Sequence, residues 1–256
     1  MTFKQIKFFI STLLILISPS LFSQESPVIA AASSVKFALE EISHAFTTDY
    51  NLKIKLSFSS SGNLMRQIHY NSPFELFISA DENYVLDLYR AGLTLDKGIQ
   101  YAQGRLVLFT MENSSLKKDK QLVDVALALK EGRLKRFAIA NPDHAPYGRA
   151  AKQVLQKLGL WQKIQKKLVL GENVAQAAQF SRHSVVQGGI FAYSFALKMQ
   201  EKQQGSYILL PSSLHQPLLA RMVLLKKAGA TAKAFYHYLQ QPKARAIFEK
   251  HGFSSP

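Results

Sequence analysis

Four short segments of this chain place hydrogen-bond donors in the same setting: an apolar run, a small polar loop, then a helical pattern. They are Ala32-Ser33-Ser34, Ser59-Ser60-Ser61-Gly62-Asn63, the stretch 141–148, and Gly171-Glu172-Asn173-Val174-Ala175-Gln176. Serine hydroxyls and free amides donate hydrogen bonds, and the first-turn amides of a helix lack intrahelical partners while carrying the positive end of its dipole. Such a junction can hold an anion without a charged side chain. The third segment is the densest, with Pro142, Pro146 and Gly148 between the apolar Phe137-Ala138-Ile139 and a helical pattern through Val154, Leu155 and Leu158. Pro146 fixes its own φ and restricts the residue before it, so this loop is stiff. Taken singly, each serine or asparagine is also an ordinary helix cap. Together the four point to one shared oxyanion site, because ligands of open α/β sheets bind outside the carboxyl ends of the strands.

The elements that must position these loops alternate along the chain. Strands are expected over 28–32, 54–58 and 76–79, with helices over 37–46, 64–68 and 83–91. A second series begins with a strand over 106–110 and continues with strands over 137–140, 168–170 and 189–193. Helices over 123–129, 148–158 and 175–182 separate them. Runs 207–210 and 218–225 read as strands returning to the first series, followed by helices over 231–239 and 244–250. Repeated β-α-β units imply parallel pairing with helices on both faces. The breaks near Gly104 and Gly205 divide the chain into lobe I, 24–103 and 207–256, and lobe II, 104–206. Two donor loops then fall in each lobe, as a cleft closed by a hinge requires.

Residues 1–23 read as a secretory signal. Lys4 and Lys7 precede an apolar run over 8–17, then Ser18-Pro19-Ser20 and small residues up to Ser23, where cleavage is expected. That run is shorter than the ~20 residues of a membrane-spanning helix. The chain contains no cysteine, which excludes disulfides, a lipid-modified cysteine and thiolate zinc sites. A periplasmic protein is expected. The net charge is +15, but the lysines are scattered over helix faces, as at Lys152, Lys157, Lys163, Lys166 and Lys167. No nucleic-acid motif accompanies them, so no nucleic-acid partner is expected; the positive field would instead steer small anions. The seven histidines show no metal-ligand spacing. His144 and Arg149, beside the third loop, are minor candidates for charge near an anion, and Arg149 would carry a desolvation cost there. Trp161 reads as a packing residue. No G-x-S-x-G elbow or Ser/His/acid arrangement supports an exported serine hydrolase, so no enzymatic activity is expected.

Several motifs carry a family resemblance: AAASS at 30–34, SFSSSGNLMRQI at 57–68, PFELFISAD at 73–81, IANPDHAPYGRAA at 139–151, LGLWQKI at 158–164, GENVAQA at 171–177 and FYHYLQQPKARAIFEKHGF at 235–253. In this order, across nearly the whole chain after the signal, they resemble the molybdate-binding proteins of ABC transporters, which are type II periplasmic binding proteins. The resemblance implies a two-lobed α/β fold with mixed sheets flanked by helices and a ligand cleft between the lobes. It implies a monomer that captures molybdate or tungstate and delivers it to a membrane permease, with no cofactor and no directly bound metal. Carried over by residue, it makes Ser33 or Ser34, and Ser61, the first-lobe ligands. In the second lobe the main-chain amides of Tyr147 and Val174 would donate. A tyrosine hydroxyl used by some members would come from Tyr193, although the ungapped match puts Ala192 there.

Molybdate, tungstate and sulfate are fully deprotonated at neutral pH and need only donors, whereas hydrogen phosphate also needs an acceptor for its proton. Asp143 reads as a turn residue and Glu172 as a capping or salt-bridge acid, so the site is expected to favour fully ionised dianions. Sulfate or phosphate binding on the same fold is the alternative.

Overall fold

The computed structural model describes residues 26–255; the signal expected over 1–23 lies outside them. The first series comprises β1 (Val28–Ala32), a 3₁₀ turn (Ser33–Val35), α1 (Lys36–Tyr50), β2 (Lys55–Ser59), α2 (Ser61–His69), β3 (Phe74–Ser79), α3 (Glu82–Arg90) and β4 (Ile99–Gly104). The second comprises β5 (Leu106–Thr110), α4 (Val123–Lys130), β6 (Arg136–Ala140), α5 (Pro146–Lys157), α6 (Trp161–Ile164), β7 (Leu168–Gly171), α7 (Val174–Phe180), β8 (Val186–Ala192), α8 (Tyr193–Glu201) and β9 (Ser206–Leu209). β10 (Leu218–Leu224), α9 (Ala230–Tyr238) and α10 (Pro242–Lys250) complete the chain.

These elements form two mixed five-stranded sheets, ordered β2-β1-β3-β10-β4 and β7-β6-β8-β5-β9. The first three strands of each sheet are parallel and the last two join antiparallel. Register decides where the loops emerge. Ala32 pairs with Ser59, and Ala140 with Gly171, so each pair of donor loops leaves its sheet at the same carboxyl edge.

Aromatic packing anchors both lobes. Phe46 meets Phe235 and Tyr238 edge-on at 5.1 and 5.4 Å, locking α1 against α9. Phe109 and Phe191 lie 5.4 Å apart beneath the second sheet. Such pairs contribute about 0.5–1.5 kcal/mol each beyond area burial. Trp161 packs at the edge of the second core, as its position after Leu160 suggested. No described helix is long and apolar enough to cross a membrane.

Two expectations about the lobe boundary change. The strand β4 has no counterpart in the sequence reading, because half of Ile99–Gly104 is polar; it pairs with β10, and the chain crosses between sheets at Arg105. Residues 207–210 were expected to return to lobe I. Instead β9 pairs antiparallel with β5, Val107 opposite Leu209, so the second sheet continues through Leu209 and the return crossing follows it. The physical reason is Gly205, whose φ of 147° turns the chain leaving α8 back along β5.

At the first crossing a Cβ on Gly104 would lie 2.2 Å from the Tyr147 hydroxyl oxygen. That ring is buried, so it must shift within the packed interior to admit the methyl group. Gly104→Ala is expected to cost about 1–3 kcal/mol by overpacking, measured as a lower midpoint in urea unfolding.

Candidate functional site

The four donor loops converge on one small cavity between the sheets. Its lining includes Ala32, Ser33, Ser34, Ser61, Tyr147 and Val174, and it encloses about 10 Å³, close to the space of one water centre. The lining contains no carboxylate and no charged side chain.

Each junction leaves a donor uncommitted for its own local reason. After β1, Ser33 and Ser34 are both buried in the turn that opens α1. The Ser33 hydroxyl donates to the Ser59 carbonyl at 3.3 Å. The Ser34 Oγ is fully buried, lies beside the Tyr147 phenol and meets hydrogen-bond geometry with no described residue. At the second junction Ser60 caps α2 by accepting from the Asn63 amide at 3.3 Å. Ser61 Oγ accepts from the Ala80 amide at 3.0 Å, which leaves its own proton for a further acceptor.

At the third junction α5 has Pro146 at its first position and no side-chain cap. The Tyr147 amide therefore stands ahead of the first intrahelical bond. Gly148 is required here, since a Cβ would approach the Ala140 carbonyl oxygen to 2.3 Å. At the fourth, the Asn173 side chain accepts from the Ala175 and Gln176 amides at 3.0 and 3.1 Å, leaving the Val174 amide outside the cap. Burial pushes the Tyr147 phenol well above its usual range, with the neighbouring Ser34 hydroxyl opposing, so the ring stays neutral.

Ser33, Ser34, Ser61, Tyr147 and Val174 are thus brought together. Tyr193 is not. It begins α8, and its ring turns toward β9, meeting Tyr207 edge-on at 5.2 Å and accepting from the Tyr207 hydroxyl at 3.3 Å. The Arg105 guanidinium covers that ring at 5.3 Å. The expectation of a Tyr193 hydroxyl at the cavity is corrected on this geometry.

Residues that looked marginal in the sequence instead span the cleft. His144 Nδ1 meets Ser60 Oγ at 2.9 Å, and Nε2 lies 3.5 Å from Glu172. The Gly62 amide donates to the His144 carbonyl at 3.0 Å. Ser194 donates to the Ser34 carbonyl at 2.7 Å. Arg149, from α5, bonds the Asp81 carboxylate and the Tyr84 hydroxyl of the opposite lobe, with its guanidinium 5.0 Å over the Tyr84 ring. Burial works against the Arg149 charge, but Tyr84 and Asp81 outweigh it and hold the pKa above the ordinary value. Arg149 lies 65 and 68 residues from Tyr84 and Asp81, and His144 lies 84 from Ser60, so no local pattern announces these contacts.

Residues 27–254 match the bacterial extracellular solute-binding protein family. The chain belongs to that family. The molybdate-binding protein ModA of Azotobacter vinelandii is 34% identical over 228 residues, covering 88% of each chain. ModA of Rhodobacter capsulatus is 33% identical over 229 residues, covering 88% of this chain and 87% of its own. The solved periplasmic molybdate-binding protein of Azotobacter vinelandii superimposes with a TM-score of 0.82 at 29% identity, over 90% of this chain and 100% of that one. This solute-binding protein has the two-lobed type II fold and is not an enzyme. Among its described residues no group of His, Asp or Glu could hold a metal ion.

The cross-cleft pair yields a direct test. A double-mutant cycle of Arg149→Ala and Asp81→Ala in thermal unfolding should give a coupling of about 1 kcal/mol, decreasing with salt. Gly148→Ala should destabilise by about 1–3 kcal/mol and weaken ligand binding, both read by calorimetry.

Proposed function

We propose that this solute-binding protein captures molybdate in the inter-lobe cavity and delivers it to the permease of an ABC transporter. The observation that carries the reading is a cage of donors with no carboxylate in its lining. A fully deprotonated tetrahedral dianion can accept from every donor, whereas hydrogen phosphate would bury a proton without an acceptor. The names of the relatives, molybdate-binding in both, favour the same ligand. Tungstate, alike in charge and shape, would bind in the same place, and the choice against sulfate would depend on the size of the cage in the loaded form. The protein works as a periplasmic monomer exported through residues 1–23.

The proposed ligands are the hydroxyls of Ser34 and Ser61 and the amides of Tyr147 and Val174. Ser34 is preferred to Ser33 because its buried hydroxyl lacks a partner, while that of Ser33 already serves the Ser59 carbonyl. Ser33 supports the turn from behind. Closure around the ion would bring the lobes together, and the closed form would carry the cargo to the membrane.

Thermal unfolding against a panel of oxyanions tests the ligand. Molybdate or tungstate at a hundred times its dissociation constant should add about 2.7 kcal/mol. A shift with sulfate or phosphate and none with molybdate or tungstate would overturn the reading. Ser34→Ala and Ser61→Ala should each weaken binding by about 1.5–3 kcal/mol, as loss of a hydrogen bond to a charged acceptor. Tyr193→Phe should leave affinity unchanged in titration calorimetry.

A further inference from the structure

A second concave feature lies on the flank of the cleft, where α1 of the first lobe meets α7 and α8 of the second. It is a groove of about 250 Å³. Phe37 of α1 and Phe195 of α8 form its floor, with ring centroids 4.9 Å apart and planes inclined at 59°. Lys36, Arg182, Lys198 and Lys202 line it, and no acidic residue does. Lys36 approaches Glu40 at 3.8 Å and Lys198 pairs with Glu201 at 2.7 Å. Among the described residues no carboxylate pairs with Arg182 or Lys202. None of these side chains lines the anion cavity.

The groove has walls from two lobes, so its shape depends on closure. Separating the lobes would draw Phe37 away from Phe195 and dismantle the floor. The same helices carry the anion loops: α1 follows the Ser33–Val35 turn and α7 begins at Val174. Occupancy of the cavity and integrity of the groove are therefore linked through two short rigid elements. A partner that must distinguish loaded from empty protein has to contact a surface that differs between the two states, since only differential affinity shifts such an equilibrium.

Charge and size specify the partner. A volume below the ~300–1,000 Å³ of small-molecule pockets suits one anchoring side chain. An aromatic floor suits an apolar anchor, and a rim of cations without acids selects negative charge and speeds encounter. We propose that this groove docks an acidic segment of the membrane transporter, bearing one apolar anchor residue, and that it does so only in the closed form. The proposal rests on the transport reading above.

The test uses the full-length mature protein with its ABC transporter in phosphatidylcholine proteoliposomes, following ATP hydrolysis as the binding protein is titrated in the presence of molybdate. R182E/K202E should leave molybdate affinity unchanged and raise the half-saturating concentration at least tenfold, while R182K/K202R should behave as the unmodified protein. R182Q/K202Q, with a smaller change of charge, should raise it less and guards against misfolding of the reversal variant. Unchanged half-saturation in the folded variants overturns the proposal. Co-flotation with phosphatidylglycerol vesicles that is lost in R182E/K202E, without an effect on ATP hydrolysis, overturns it in favour of a membrane surface. Failure of the unmodified protein to bind molybdate, with groove-dependent docking intact, rejects the cargo and keeps the groove.

Discussion

Buried hydrogen-bond donors without protein acceptors are the constraint on which the rest of this structure depends. A donor sealed from water without a partner costs free energy comparable to a lost hydrogen bond, so folded chains seldom leave one. Here several face one cavity: the Ser34 and Ser61 hydroxyls and the leading amides of α5 and α7. Nearby caps are arranged so that these donors stay open. Asn173 satisfies the second- and third-position amides of α7 and leaves that of Val174. Pro146 removes a donor that would otherwise compete at the start of α5. On the proposed function, an anion entering this space would complete hydrogen bonds that the protein has left unmade, which would tie affinity to closure.

Closure in turn depends on contacts away from the anion. Arg149 with Asp81 and Tyr84, His144 with Ser60, and Ser194 with the Ser34 carbonyl join the lobes around the cavity, and of these residues only Ser34 and Ser60 line it. Charge is thereby kept out of the cage and placed where it is partly solvated, which limits the desolvation cost that a buried guanidinium would impose. The division also suits selectivity. On the proposed function, a cage of neutral donors would discriminate by the protonation state of the ligand, while the bridging charges would stabilise closure whatever the cargo.

The hinge shows the same economy at the level of backbone. Gly104 ends β4 against the Tyr147 ring, so the residue whose amide faces the cavity also packs its side chain at the crossing between sheets. Gly205 redirects α8 into β9 and adds a strand to the second sheet before the return. Gly104 lies where the chain crosses between the lobes, whereas Gly205 turns it within the second lobe.

Much of the architecture was legible because it is written locally. Apolar runs of strand length, amphipathic helices and the Ser, Asn, Pro and Gly residues at their junctions specify β-α units and place donors at helix starts. The stiffness of the 141–148 loop and the packing role of Trp161 follow from residue type alone. Tertiary structure decided what depends on residues distant in sequence. The half-polar Ile99–Gly104 becomes a strand only because β10 offers it a partner, and 206–209 joins β5 because the turn at Gly205 brings it there. Tyr193 faces Tyr207 instead of the cavity because α8 begins at that residue. Arg149 and His144 find their partners across a cleft, and the Phe37–Phe195 floor exists only where two lobes meet. Local chemistry can be read from a run of ten residues, whereas which donors remain unpaired is fixed only when every possible acceptor has been placed.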